Sequence, residues 1–188
     1  MKLYLSIIAT AMAAVAGANI LAGTGPWYTV VAEVAACTAA QFALGGAVAL
    51  IVNRLPDRLF GEDVAFYQVS EREKALYKWL KVRRWKDRVW DLGSLGGFSK
   101  KTLADPGSPE YIERFLLESN KGVLTHRLSY PVGFLVMLFL PPLRAFTLGL
   151  PIAAVALVLN ILPTLSLRYS TPKLRLVLQR MRRKAAKS

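Results

Sequence analysis

The fold is decided by an apolar stretch that runs from Leu3 to Val52 and reads LYLSIIATAMAAVAGANILAGTGPWYTVVAEVAACTAAQFALGGAVALIV. Glu33 is its only charged residue, and about 20 apolar residues are enough for one membrane-spanning helix. The tetrapeptide Gly23–Pro26 divides the stretch, since glycine and proline stop a helix and permit a tight connection. The stretch therefore predicts a hairpin of two transmembrane helices.

The residues around this turn indicate whether the first apolar segment is a cleaved signal peptide or a transmembrane helix of the mature protein. Trp27 and Tyr28 follow the turn at once, as is typical of the aromatic belt at a membrane interface. Lys2 and the alanine-rich run after it also fit a cleavable signal peptide. The second segment is equally apolar and no polar mature start is evident, which favours a retained hairpin.

A second apolar block runs from Leu128 to Leu167 and is interrupted at Pro141-Pro142-Leu143-Arg144. Its first half, Leu128–Leu140, is short for a full span and is predicted to be a short, tilted or re-entrant segment. Its second half, Ala145–Leu167, is long enough to cross. The sequence thus predicts an all-α integral membrane protein with about four transmembrane or membrane-embedded helices and a mixed, mainly helical cytosolic cap.

Composition supports a membrane protein and sets its orientation. The 188 residues are 54% hydrophobic and 20% charged, and the mean hydropathy is +0.34, which is too apolar for an ordinary globular domain. Of 25 Lys and Arg residues, 15 lie in residues 53–127 beside 11 acids, and 8 lie after Leu167 with no acid. The positive-inside rule therefore predicts a multi-pass protein of the cell membrane, with the cap and both termini in the cytoplasm.

These observations divide the chain into four predicted parts. They are an N-terminal transmembrane hairpin (1–52), a cytosolic cap with a basic-aromatic interfacial helix (53–127), C-terminal membrane segments (128–167) and a basic cytosolic tail (168–188). A single cysteine, Cys37, and a single histidine, His126, exclude a disulfide framework and a multi-histidine or cysteine-based metal site. No metal is expected.

Two helices of the cap carry start signals. Ser70 with Glu73 forms the pattern of a capping box, and Ser108 stands directly before a proline and a glutamate. Helices are therefore predicted over residues 70–90 and 109–121.

The first of these predicted helices contains the densest run of basic and aromatic residues, from Lys78 to Asp91. One interpretation is an interfacial helix that holds the cap against anionic lipid headgroups. The other is an anion site for a phosphorylated substrate, in which Arg83, Arg84 and Lys86 donate charge-assisted hydrogen bonds. A nucleic-acid partner is disfavoured because the basic residues stand beside membrane spans.

His126 lies where the cap re-enters the membrane. A lone histidine is more often structural, but its ordinary pKa makes it the natural general base for a hydroxyl group. Such a base needs a carboxylate to orient it. Glu118 lies about 12 Å away along a straight helix, so either Gly122 breaks the helix or the partner is Asp87 or Asp91.

Two polar residues within the predicted spans are further candidates. Glu33 lies at a shallow membrane depth, where both a functional and a solvated structural role are open. Asn160 is favoured to form a hydrogen bond with a neighbouring helix, and lining a polar pocket is the other role open to it.

Several motifs, taken in order, resemble the glycosyl-4,4'-diaponeurosporenoate acyltransferases. These enzymes esterify the sugar of a carotenoid glucoside with a fatty acid in staphyloxanthin biosynthesis. The resemblance covers roughly residues 50–184 and rests on RLPDRLF at 54–60, Lys78-Trp79, VRRWK at 82–86 with Asp91, Glu118 with His126, Asn160, and RYSTPKL at 168–174.

The resemblance implies a membrane O-acyltransferase that moves a fatty acyl group from a coenzyme A or acyl carrier protein thioester to a sugar hydroxyl of a glycosylated carotenoid or other glycolipid. Its catalytic set would be His126, Glu118 and Asp91, and no metal or redox cofactor would be needed. Its substrate-binding residues would be Arg83, Arg84, Trp85, Lys86, Asn160 and Arg168. The alternative is a non-catalytic membrane scaffold or anionic-lipid-binding protein, and a transporter component ranks last.

Overall fold

The computed structural model describes residues 2–89 and 103–187, and these ranges contain helices and turns but no strand. Four elements are long helices: α1 (Lys2–Leu21), α2 (Trp27–Arg54), α5 (Pro109–Val132) and α7 (Leu150–Ala185). Three helices are short: α3 (Glu71–Trp79), α4 (Val82–Trp85) and α6 (Pro142–Arg144). Short 3-10 helices occupy Asp57–Phe60, Ala65–Tyr67, Lys86–Arg88 and Gly133–Phe139, and a π-helical turn occupies Ala145–Gly149.

Four stretches are long and apolar enough to cross a membrane, which confirms the predicted fold class. They are Tyr4–Leu21, Trp27–Arg54, Pro109–Phe139 and Pro142–Ala185. The third differs from its prediction, because residues 128–132 belong to α5 and residues 133–139 follow it directly as a 3-10 helix. Pro131 lies inside α5, where its missing N–H removes only one hydrogen bond, and transmembrane helices tolerate such a loss.

The predicted division of the N-terminal hairpin is confirmed. Gly23 follows α1 with φ +63°, a conformation that glycine adopts without steric cost. Its N–H donates to the carbonyl of Ile20 at 3.0 Å, and the N–H of Thr24 donates to the carbonyl of Asn19 at 3.1 Å. These bonds satisfy carbonyl groups that the end of a helix leaves without a partner.

Both predicted helix starts in the cap are present. The Ser70 hydroxyl accepts the Glu73 N–H at 3.2 Å, and the Glu73 carboxylate accepts the Ser70 N–H at 3.4 Å, which completes the capping box. At α5, the Ser108 hydroxyl accepts the N–H of Tyr111 at 3.1 Å. Local sequence signals therefore locate both starts correctly, although α5 runs well beyond the predicted end at residue 121.

The single helix predicted over residues 70–90 is interrupted in the structure. Lys81 adopts the left-handed conformation, with φ 51° and ψ 39°, so α3 ends and α4 begins in a new direction. The Trp85 indole donates to the Leu80 carbonyl at 3.0 Å across the turn. This bond helps offset the strain of a left-handed non-glycine residue, which is of order 1–2 kcal/mol. The basic and aromatic residues therefore do not share one continuous helical face.

The chain divides into two compact units. The first comprises Met1–Leu50 and Arg127–Ile161, and the second comprises Ile51–His126 and Leu162–Ser188. The core of the first unit brings α2 against the π-helical turn and the start of α7, through Val30, Val34, Cys37, Leu148 and Ile152. Hydrogen bonds add to this core, since the Asn19 amide donates to the Thr147 carbonyl at 2.9 Å.

An ion pair joins two elements of the first unit. Arg144 Nη1 lies 2.9 Å from Glu33 Oε2, and the Arg144 side chain is 11% exposed while that of Glu33 is 27% exposed. A Cβ on Gly25 would meet Arg144 Nη2, so a larger residue there would require the Arg144 guanidinium to shift. The pair gives Glu33 a structural partner at membrane depth.

Removing one partner of this ion pair should destabilise the protein more than removing both. Glu33→Ala and Arg144→Ala each leave one partly buried charge uncompensated and should each lower the free energy of unfolding by roughly 1–3 kcal/mol. The double variant should recover much of that loss, because no unpaired charge remains. Denaturant unfolding in detergent micelles measures the cycle, with exposed Arg183→Ala as control. Strictly additive losses would contradict the pairing.

Candidate active site

Arg168 on α7 is the most fully bonded side chain of the second unit's polar interior. Its Nε and Nη2 donate to the two carboxylate oxygens of Glu73, each at 2.7 Å. Its Nη1 donates to the Phe66 carbonyl at 3.0 Å, and its Nη2 also donates to the Gln68 carbonyl at 2.9 Å. The side chain is 5% exposed. Arg168 therefore ties α7 to the first turn of α3 and to the backbone that precedes it.

The Glu73 carboxylate accepts hydrogen bonds from three residues. Besides Arg168 and the Ser70 N–H, it accepts the Tyr77 hydroxyl at 2.6 Å. Burial would raise the pKa of Glu73, but the hydrogen bonds from Arg168 and Tyr77 outweigh it and lower the pKa to about 2. Burial, together with the bond to Glu73, raises the pKa of Tyr77 to about 12. The carboxylate is charged and the phenol neutral across the physiological range.

Aromatic and cationic side chains extend this cluster along α7. The rings of Tyr77 and Tyr169 meet edge to face with centroids 6.3 Å apart. The Lys173 ammonium stands 5.4 Å from the centroid of the Tyr169 ring, within the range of a cation–π contact. These contacts fix the side chains of the motif at 168–174 against α3.

The basic residues predicted to bind the donor lie on and just after α4. Arg83 and Arg84 are exposed, whereas Trp85 and Lys86 are partly buried. The Lys86 ammonium pairs with Asp87 at 2.6 Å, and the Lys86 carbonyl accepts the Ser166 hydroxyl at 3.4 Å. The last contact brings the end of this basic segment to α7, two residues before Arg168.

His126 is the last residue of the first segment of the second unit and lies partly buried on α5. The helix is unbroken through Gly122, so Glu118 stays about 12 Å of rise from His126. The Glu118 carboxylate instead lies 3.6 Å from the Lys121 ammonium, which also binds Asp57 at 2.8 Å. Asp91 falls outside the described residues.

Lys121 is one of two neighbouring α5 residues that hold the motif at 54–60. The Asn120 amide is buried and donates to the Phe60 carbonyl at 2.8 Å, while Lys121 stands 5.7 Å from the centroid of the Phe60 ring. α5 therefore carries both the candidate base and the contacts that position this motif.

Asn160 belongs to the first unit. Its side-chain amide donates to the carbonyl of Ala156, one turn earlier in the same helix, at 2.8 Å. This bond holds the Asn160 side chain against the backbone of α7.

Sequence reasoning missed Arg175, which borders a groove of about 240 Å³ together with Gln68, Lys74, Thr171 and Gln179. Its Nε and Nη2 are buried and have no hydrogen-bond partner among the described residues. The signal that could have found it is spacing, because residues 168, 171, 175 and 179 recur at the interval of one helical face. Glu73 and Tyr77 were also missed as site residues, since their link to Arg168 joins positions far apart in sequence.

Comparison with known protein families matches residues 56–180 to the glycosyl-4,4'-diaponeurosporenoate acyltransferase family. This chain belongs to that family. Neither the curated proteins nor the solved structures give a match. The resemblance inferred from the motifs is therefore confirmed, and the chain is an acyltransferase, which its membership favours over a non-catalytic scaffold.

The matched region of the acyltransferase contains the whole polar cluster around Arg168 and Glu73, together with His126 and Arg175. It also covers the packing that holds the two long helices of the second unit together. That core joins the first half of α5 to the second half of α7 through Ile112, Phe115, Leu116, Leu174 and Leu178.

The Glu73 carboxylate should make the acyltransferase sensitive to acid. Its folded-state pKa, about 2, lies below the ordinary 4.5, so its contribution to stability is complete above pH 4.5 and is lost as the pH falls through 2. Glu73→Gln should lower the melting temperature at neutral pH and remove this part of the acid dependence. Thermal unfolding in detergent, followed by circular dichroism over pH 2–8, measures both effects.

Glu71→Gln is the matched control for this experiment. Glu71 lies on the same helix and pairs with Lys74 at 2.6 Å, but its side chain is 87% exposed, and exposed ion pairs contribute little to stability. Equal acid profiles for Glu73→Gln and the unaltered protein would show that the buried pair is not the acid-sensitive element.

Proposed function

We propose that this acyltransferase moves a fatty acyl group from a thioester donor to a sugar hydroxyl of a glycosylated carotenoid or other glycolipid. The observation that carries the proposal is the family match over residues 56–180. The four membrane-capable helices support it, because a polyisoprenoid acceptor and a fatty acyl chain are both soluble in lipid. Coenzyme A or an acyl carrier protein would present the thioester.

His126 is the proposed general base. The sugar hydroxyl oxygen attacks the thioester carbonyl carbon while the imidazole takes its proton, and the carbon–sulfur bond then breaks. The imidazolium returns the proton to the leaving thiolate, so the products are an ester and a free thiol. This reaction as written needs no metal or redox cofactor. The position of His126 near the predicted cytosolic edge of a span suits a reaction between an aqueous donor and a lipid acceptor.

Carboxylates are proposed to support the imidazole in two ways. Asp91 is assigned to hold its tautomer and stabilise its charged form. Glu118, which lies two turns earlier on an unbroken helix and binds Lys121, is assigned to keep α5 in place on the 54–60 motif. A backbone N–H would donate to the oxygen of the tetrahedral intermediate.

The donor's phosphates are assigned to the basic ledge, by which we mean Arg83, Arg84 and Lys86. The exposure of the two arginines supports this assignment, since a soluble donor must reach them. Trp85 is assigned to pack against the donor. Arg168 is proposed as a positioning residue, because its guanidinium already binds Glu73 and two carbonyls.

We place the enzyme in the cell membrane with the cap, the basic tail and both termini in the cytoplasm. The distribution of Lys and Arg supports this orientation. It puts the ledge and His126 on the side where thioesters of coenzyme A and carrier protein occur.

Loss of the proposed base should abolish transfer without affecting membrane insertion. His126→Ala should reduce the rate of acyl transfer by about 10²- to 10⁴-fold, measured by mass spectrometry of lipid extracts and by thioester consumption with purified protein and a glycosylated polyisoprenoid. Undiminished transfer by His126→Ala would place the base elsewhere.

The double variant Arg83→Gln/Arg84→Gln should instead raise KM for the thioester with kcat largely kept.

The orientation can be tested with single cysteines in a Cys37→Ala background. Thr24→Cys, in the turn between α1 and α2, should react with a membrane-impermeant maleimide on intact cells. Lys187→Cys should react only after the membrane is opened. The reverse pattern would contradict the proposed topology.

A further inference from the structure

Three arginines of α7 in the second unit stand seven residues apart, and the middle one differs from its neighbours. Arg168 binds Glu73 and two carbonyls. Arg182 binds Glu62 and, at 2.7 Å, Glu113. Arg175, between them on the same helical face, has Nε and Nη2 buried without a hydrogen-bond partner among the described residues.

This lack of a partner is costly, because a guanidinium keeps its charge at every physiological pH and its buried N–H groups lose their hydrogen bonds to water. Glu62 and Asp63 lie close enough to attract Arg175 electrostatically, but neither forms a hydrogen bond with these two nitrogens. Arg175 as a whole is partly buried, so these two nitrogens are open to a hydrogen-bond acceptor from outside the chain.

The groove beside Arg175 has the composition of an anion site. It measures about 240 Å³, enough for a phosphate group, and is bordered by the Lys74 side chain and by Gln68, Thr171 and Gln179. Lys74 is the second cation, and its pairing with Glu71 at 2.6 Å uses one of its three N–H donors. Arginine and lysine together match the several acceptor oxygens of a phosphate.

We infer that this groove binds a phosphate ester, with Arg175 as its principal ligand. The inference deepens the proposed function and rests on it for the choice of ligand, since a coenzyme A donor bears a ribose phosphate ester in addition to the diphosphate that the basic ledge would hold. A phospholipid headgroup shares this chemistry and is the other source of the group.

The first test is coenzyme A binding to the full-length protein in detergent, measured by calorimetry without acyl transfer. Arg175→Gln should raise the dissociation constant by about 10- to 100-fold, as expected for loss of a charge-assisted hydrogen-bond pair. Arg180→Gln is the matched control, because it removes one positive charge from an exposed position of the same helix, and its effect should stay below about 3-fold. Equal effects of the two variants would overturn coenzyme A as the source of the phosphate.

The second readout separates a ligand-binding arginine from a structural one. Without ligand, Arg175→Gln should melt at the same temperature as the unaltered protein or higher, because it removes an unpaired buried charge. A lower melting temperature with unchanged coenzyme A affinity would overturn the proposal. Lys74→Gln, at an exposed edge of the groove, provides a variant that does not alter the interior, and it should weaken binding by about 3- to 10-fold.

Phospholipids in mixed micelles distinguish the two sources of the phosphate. If Arg175→Gln weakens binding of phosphatidylglycerol, relative to phosphatidylcholine, in detergent micelles and leaves coenzyme A binding unchanged, the groove holds a lipid headgroup. If it weakens only coenzyme A binding, the groove holds the donor. If neither depends on Arg175, the site is excluded. None of these measurements involves acyl transfer, so an inactive His126→Ala protein should bind coenzyme A normally. The proposal of a phosphate site at Arg175 and the proposal of His126 as general base can therefore be contradicted independently.

Discussion

The buried ion pair between Arg168 and Glu73 is the constraint on which the second unit depends. Taking both charges out of water is unfavourable, and it is offset here because every oxygen and nitrogen that carries the charge is hydrogen-bonded. Glu73 also completes the capping box of α3. One carboxylate therefore begins a helix and fastens α7 to it, so a change at either residue disturbs local and tertiary structure together.

Helix α7 changes from apolar to basic along its length. The first part of α7 is apolar and belongs to the first unit, whereas the part after Ile161 carries the arginines and packs its leucines on α5. A side chain in the polar part is thus placed by two constraints at once, the helical repeat and the leucine core. This explains how two nitrogens of Arg175 can be held buried without a hydrogen-bond partner among the described residues.

Local patterns in the sequence were sufficient for much of the fold. Continuous hydropathy predicted the spans, the Gly23–Pro26 turn divided the hairpin, and Ser70 with Glu73 predicted the start of α3. The left-handed conformation of Lys81 could not be predicted, because lysine has no preference for it. The turn between α3 and α4 imposes it. The pairing of Arg168 with Glu73 also escaped prediction, since it joins residues on separate helices and leaves no local signal. The unbroken course of α5 through Gly122 removed one alternative for His126 that the sequence had left open.

The pair formed by Glu33 and Arg144 has a consequence for how the chain enters the bilayer during synthesis. The ribosome makes Glu33 long before Arg144, so the acidic residue reaches the membrane while its cation is still untranslated. Inserting a lone carboxylate at mid-membrane depth costs about 2.5–3.5 kcal/mol on translocon scales, and the position of Glu33 close to the helix start keeps that cost low by leaving it near the headgroups. The charge is paired only after synthesis reaches Arg144, at the start of the fourth apolar stretch.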